Sequence, residues 1–171
     1  TVVVLVEFDM VVDVDADLFP LTHLERRGRQ GQERHALDLL MVLPAIRDLL
    51  KRQPVRFFVQ GLVDSPLGKS IELLQQICTA GDADHRAAYG PMLELLHQLA
   101  AIEARHAPFY PAEQHFDRLG ALDLDIGIAP LRDTPFNRAK SANKFSEYAV
   151  VGSLTVASNV EPYRGECSIL V

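Results

Sequence analysis

The sequence predicts an α/β domain built on a mostly parallel sheet with helices on both faces. Two patterns carry that expectation. Short β-branched runs such as "TVVVLVEF" show no polar alternation, the mark of strands covered on both sides. Between such runs lie longer segments with apolar residues at helical spacing, and strands alternating with helices build a parallel sheet. The length of 171 residues suits one domain.

The elements follow in order. "TVVVLVEF" is the first strand. "DMVVDVDADLFPL" and the glycine-spaced, polar "THLERRGRQGQER" read as irregular chain, so residues 1–32 are expected to be a strand plus loop and 33–171 the main body. From His35 to Arg52 the pattern is helical, with Leu37, Leu40, Met41, Leu49 and Leu50 on apolar stripes. Pro44 should kink or split that helix, because it lacks a backbone N–H. "PVRFFVQG" (Pro54 to Gly61) is the second strand. "SPLGKSIELLQQICTA" is a helix with Ile71, Leu74, Ile77 and Cys78 on one face. "GDADHRAAYG" reads as punctuation, and "PMLELLHQLAAIEARHA" as a helix with Pro91 in its first turn. "PFYP" is compatible with a brief strand. "AEQHFDRLGAL" is a short helix, "DIGIAP" a short strand, and a further helix should begin near Lys140 or Ser141. "SLTVAS" and the closing "SILV" are the last strands. The whole is Rossmann-like.

Composition narrows the function classes. A net charge of -6 argues against a general nucleic-acid binder, which needs a basic face. Hydrophobic residues at 48% and charged ones at 23% are ordinary for a soluble globular protein. Cys78 and Cys167 match no metal spacing and read as free thiols of a reducing, cytoplasmic setting. No apolar run reaches the roughly 18 residues of a membrane span. "TVVVLV" is too short for a signal-peptide core. The chain opens inside a strand-like run without Met and closes at "SILV", where one or two further helices are expected. It therefore reads as a fragment of a longer protein.

The chemistry concentrates in "TPFNRAKSANKFSEYA". It holds three cations, Arg138, Lys140 and Lys144, together with Asn137, Asn143 and Glu147. A helix start with Ser141 as N-cap would offer unpaired N–H groups and partial positive charge. Cations there oppose the helix dipole, and a bound phosphate would resolve the conflict. In a parallel sheet the loops after "DIGIAP", "SLTVAS" and "RFFVQG" share the carboxyl rim, where ligands bind. The plainer alternative is a solvated helix start with a Lys144–Glu147 surface pair.

"LDIGIAPLRDTPFNRAKSANKFSEYAVVGSLTVASNVEPYR" (Leu124 to Arg164) resembles the donor-binding region of group 1, family 4 glycosyltransferases of the GT-B fold. "HALDLLMVLPAIRDLLKRQPVRFFVQG" resembles the first helix and second strand of that domain more loosely. The resemblance implies one half of a GT-B fold that binds a nucleotide-diphosphate sugar as substrate, with no separate cofactor and no metal. It implies a retaining transfer to a glycan or lipid-linked acceptor held by a second domain, with peripheral contact at the inner membrane face allowed. Glu147 matches the glutamate associated with the donor ribose. Asn137, Arg138, Lys140, Ser141 and Lys144 fall on the diphosphate side, with Arg138 and Lys144 as candidate catalytic groups. Ser158 and Asn159 match the turn that approaches the nucleotide. Eight residues before Glu147, where the family often carries another glutamate, stands Ala139; Asp133 could substitute from the loop.

Three weaker patterns remain. In "VVDVDADLF", Asp13 and Asp15 resemble the nucleophile loop of haloacid-dehalogenase-type phosphatases, with Asp17 in place of the usual Thr and "GDADH" as an acidic magnesium motif. That alternative needs magnesium, and a non-catalytic nucleotide-binding or scaffold domain is the other. Of the six histidines none forms an H-x-x-x-H pair; the glycosyltransferase resemblance implies that the loop at His35, ahead of the long helix, faces the sugar. Gly28 and Gly31 resemble a phosphate loop only loosely.

Overall fold

The computed structural model describes residues 1–7, 23–60, 62, 67–107, 112–165 and 169–170, with side chains described for 1–6, 36–60, 62, 67–105 and 113–165. The strands are β1 (Val2–Glu7), β2 (Val55–Gln60), β3 (Arg105–Ala107), β4 (Ile126–Ala129), β5 (Leu154–Ala157) and β6 (Ile169–Leu170). The helices are α1 (His23–Arg52), α2 (Leu67–Ala80), α3 (Ala83–Ala101), α4 (Ala112–Ala121), α5 (Pro135–Arg138) and α6 (Asn143–Val150).

All strand pairs are parallel and run in the order β3-β2-β1-β4-β5-β6. The chain winds outward from β1 to β3, crosses back, and winds outward the other way from β4 to β6. This is the Rossmann-like doubly wound order, and it puts the reversal between β1 and β4. Register is fixed on both sides of β1: Val4 pairs with Phe57 and with Ile126.

The unbroken apolar run of β1 has a direct cause. Val4 and Val6 join one core with Ala36, Leu39 and Leu43 of α1 and Leu95, Leu96 and Leu99 of α3. Val3 and Leu5 join the opposite core with Leu119 of α4 and Tyr148 of α6. Each such side chain taken fully from water contributes about 1.5–3 kcal/mol. Tyr148 decides how α6 sits. Its ring packs against Gly127, where any Cβ would run into it, and its hydroxyl reaches the Ile128 carbonyl at 3.4 Å.

Three expectations are corrected. The segment 22–34, expected as loop, is helical from His23 onward. Gly28 and Gly31 each cost about 1 kcal/mol there, but Leu24, Glu25, Arg26, Arg27, Gln30 and Glu33 are good helix formers. The irregular portion assigned to 1–32 therefore ends sooner. Pro44 does not split α1, which continues to Arg52 with Leu39, Leu43 and Ile46 anchored in the core around it. "GDADHRAAYG", expected as punctuation, is helical from Ala83 onward. Asp82 caps α3 by accepting from the His85 N–H at 3.0 Å, so Pro91 lies inside the helix. "PFYP" lies outside the described residues, and the strand in that region is Arg105–Ala107.

Candidate functional site

Because every strand is parallel, the segments that follow β2, β4 and β5 leave from one edge of the sheet, as do the starts of the helices that succeed them. The segment after β4 is the best defined. Leu131 donates its N–H to the Ser158 hydroxyl at 3.0 Å, tying the loop to the end of β5. Thr134 caps α5 by accepting from the Asn137 N–H at 3.2 Å, with Pro135 in the first turn.

Beneath this loop sits a buried carboxylate. Asp38 of α1 is 1% exposed. It accepts from the Arg132 backbone N–H at 3.0 Å, from Arg132 Nε at 3.1 Å, and from Asn137 Nδ2 at 3.2 Å. Asn137 Nδ2 also donates to the Arg132 carbonyl at 2.9 Å. A buried carboxylate is tolerated when donors satisfy it and a cation neutralises it, and both conditions hold here. The clamp fixes the path of residues 132–137 against α1.

The expected anion site is rearranged. One helix near Lys140 is replaced by two, α5 and α6, joined through residues 139–142. Ser141 is exposed and is not the cap; Ala142 holds the N-cap position of α6 and offers no side-chain oxygen. Lys140 stands in the turn, its Nζ 5.2 Å from the centre of the Phe136 ring, rather than one turn before Lys144 on a common helix. Ala139 is the C-cap of α5. Asn137 points its amide nitrogen into the Asp38 clamp. Arg138 is exposed and grips Asp133 through two hydrogen bonds. Their bond holds the Asp133 carboxyl below its ordinary 3.8 and raises the Arg138 guanidinium further. Asp133 is thus engaged by Arg138. Asn159 is exposed and its carbonyl accepts from Arg164 at 3.2 Å, while Ser158 is 7% exposed.

Lys144 and Glu147 form a different kind of pair. Lys144 Nζ donates to Glu147 Oε2 at 2.8 Å, with the two side chains only 12% and 20% exposed. His115 of α4 brings Nε2 to 3.5 Å from the same oxygen, long for a hydrogen bond but within reach of a charge interaction. Glu147 Oε1 has no hydrogen bond to the described residues. The result is a half-buried carboxylate with one oxygen held and the other not hydrogen-bonded by any described residue.

His115 and Asp38 were not among the residues singled out from sequence. Asp38 had a signal, a lone carboxylate inside the apolar "ALDLLMVL"; His115 had none, since its partner is 32 positions away. The side chain of His35, and Asp13, Asp15 and Asp17, lie outside what the structure describes. Gly28 and Gly31 fall within α1 rather than in a phosphate loop. In "GDADH", Asp82 is occupied by His85, whose backbone N–H and Nδ1 both reach it. Among the described residues no group of three His, Cys, Asp or Glu is placed to hold a metal ion. Cys78 is a free thiol that burial pushes upward in pKa, and Cys167 lies outside the described residues. An open cavity of about 480 Å³ lined by Glu72, Gln75, Gln76 and Thr79 lies along α2 and involves none of these groups. No described helix is long and apolar enough to cross a membrane.

Fold and rim together define a Rossmann-like α/β protein with a polar, partly basic carboxyl edge. Comparison with protein-family models, with curated proteins and with solved structures returns no match.

Proposed function

We propose that this chain is the donor-binding half of a GT-B glycosyltransferase. It holds a nucleotide-diphosphate sugar at the carboxyl rim, and the sugar passes to a glycan or lipid-linked acceptor bound by a second domain. The observation that carries the reading is Glu147, held half-buried by Lys144 at the start of α6 and open at one oxygen. A carboxylate so placed suits a ribose hydroxyl. Lys140 and Arg138 precede it on the same rim segment. The resemblance of Leu124 to Arg164 to the donor region of family 4 enzymes supports the same assignment.

The chemistry asked of these residues is electrostatic. Departure of the sugar loads negative charge on the diphosphate, and fixed cations in a partly dry site stabilise it as it forms. Lys144 is the best candidate because its Nζ already lies against Glu147 in a partly dry setting, with Arg138 as the exposed cation that draws the anion in and Lys140 beside it on the same segment. Transfer is read as metal-independent and retaining. A lipid-linked acceptor would place the work at the cytoplasmic face of a membrane.

Isothermal calorimetry of the 171-residue chain with UDP and GDP tests the reading. One of the two should bind, and Glu147→Ala and Lys144→Ala should each weaken it about tenfold, the value of one charged hydrogen bond. Absence of binding to both nucleotides refutes the reading. Turnover should need the partner domain, so repeated transfer by this chain alone would also count against it. Ala139 favours a second reading, a domain that binds donor without transferring it, because the carboxylate often found there is absent and Asp133 is engaged by Arg138.

A further inference from the structure

We propose that His115 is a positioning residue for Glu147, and that together with Lys144 it leaves a single carboxylate oxygen, Oε1, to receive one hydroxyl of a nucleotide ribose. The inference rests on the donor-binding reading above and adds to it a residue and a mode of contact.

The geometry begins with the helix starts. His115 is the fourth residue of α4 and Glu147 the fifth of α6, and both helices begin at the carboxyl edge of the sheet. α6 is locked over β4 by Tyr148 seated on Gly127, so the Glu147 backbone is fixed one residue away. The Glu147 side chain still has three free torsions. Lys144 reaches its Oε2, but Lys144 is longer and more flexible than the group it holds. The imidazole is stiffer. Its side chain is 16% exposed, and its ring stands edge-on to Phe116 with centroids 5.1 Å apart. Nε2 stands 3.5 Å from Oε2, on the side of the carboxylate that faces α4.

Both approaches fall on Oε2, and no described residue bonds to Oε1. A vicinal diol approaching this carboxylate finds one oxygen already approached from two sides. One hydroxyl then donates to Oε1 in full, and the other gains little. A carboxylate with both oxygens open would take the two hydroxyls alike. Recognition should therefore be unequal between the 2′ and 3′ positions, and the inequality should depend on the ring nitrogens of His115.

The test compares UDP and GDP with their 2′-deoxy and 3′-deoxy counterparts by calorimetry on the full chain. In the wild type one deoxy form should lose about tenfold in affinity and the other less than about threefold. His115→Ala should shrink that difference, Lys144 alone then engaging Oε2, and His115→Gln, which returns a nitrogen near the same place, should restore most of it. If His115→Ala fails to fold by circular dichroism, His115→Phe keeps the ring, loses the nitrogens and decides the matter. Equal losses from the two deoxy forms in the wild type overturn the single-oxygen contact. Losses that remain as unequal in His115→Ala or His115→Phe as in the wild type overturn the positioning role while leaving the donor-binding reading intact. No binding of UDP or GDP removes that reading and this inference with it.

Discussion

Arg132 and Arg138 lie six residues apart on one rim segment, and each is matched to an aspartate. Asp38, the partner of Arg132, has a side chain 2% exposed and also holds Asn137. Asp133, the partner of Arg138, is 48% exposed and accepts no hydrogen bond from any other described side chain. The chemistry of the two pairs is the same and their consequences are not. In water the pair is screened, and its formation competes with solvation. Beneath the loop, the carboxylate has exchanged water for fixed donors, so losing it strands several groups at once. The Asp38 clamp is what shapes the loop; the Asp133 pair only decorates it.

The largest expected effect is therefore at Asp38. Asp38→Ala should lower unfolding free energy by about 3 kcal/mol in urea denaturation, the low end for breaking a buried pair. Asp38→Asn keeps an acceptor and should lose less. A loss for Asp38→Ala no greater than that of a surface substitution would break the contrast between the two pairs. Next comes Gly127→Ala, where a methyl group driven into the Tyr148 ring should cost about 2 kcal/mol through overpacking. It should also weaken nucleotide binding, because α6 carries Lys144 and Glu147. Smaller still is Arg138→Ala. No resolvable change in denaturation midpoint is expected, and the nucleotide affinity should fall less than about threefold, against about tenfold for Lys144→Ala. Half-molar salt should cancel the Arg138 effect and leave most of the Lys144 effect, since exposed charges are screened more than half-buried ones.

The smallest effect is a pH dependence. The Asp133 carboxyl is depressed below 3.8 by its bond to Arg138, so its contribution is complete above that value. It should fade as pH falls through the depressed folded value. An NMR titration should place the Asp133 carboxyl lower in the wild type than in Arg138→Ala; the same midpoint in both would reverse the assignment.

Much of the fold was legible because the strands announce themselves. β1 is an unbroken β-branched run buried on both faces, and β2, β4 and β5 are short strand-forming runs between helical segments, although each keeps partly exposed positions. The misread parts are those where a local breaker was outvoted. Gly28, Gly31, Pro44 and Pro91 all lie inside helices that favourable neighbours or core contacts sustain. At the site, Lys144 and Glu147 are three apart on one helix, a spacing visible in sequence. Asp38 meets Arg132 across 94 positions and His115 meets Glu147 across 32, and no periodicity reports such pairs. Cation density also misled in one respect. It drew Ser141 and Lys140 into a single helix start, where the chain instead spends Thr134 on capping a separate turn.

The placement of β1 has a consequence for how the chain acquires its shape. β1 precedes the other described strands in the chain, and one of its neighbours, β4, begins at Ile126. Contacts so distant in sequence form slowly, because the loop must close before the contact returns any energy. During synthesis β1 and β2 can pair early, while the other edge of β1 stays open, apolar and unpaired until residue 128 has emerged. Such an edge is a template for another chain. The most buried strand of the finished molecule is thus its most exposed hazard while the molecule is being made.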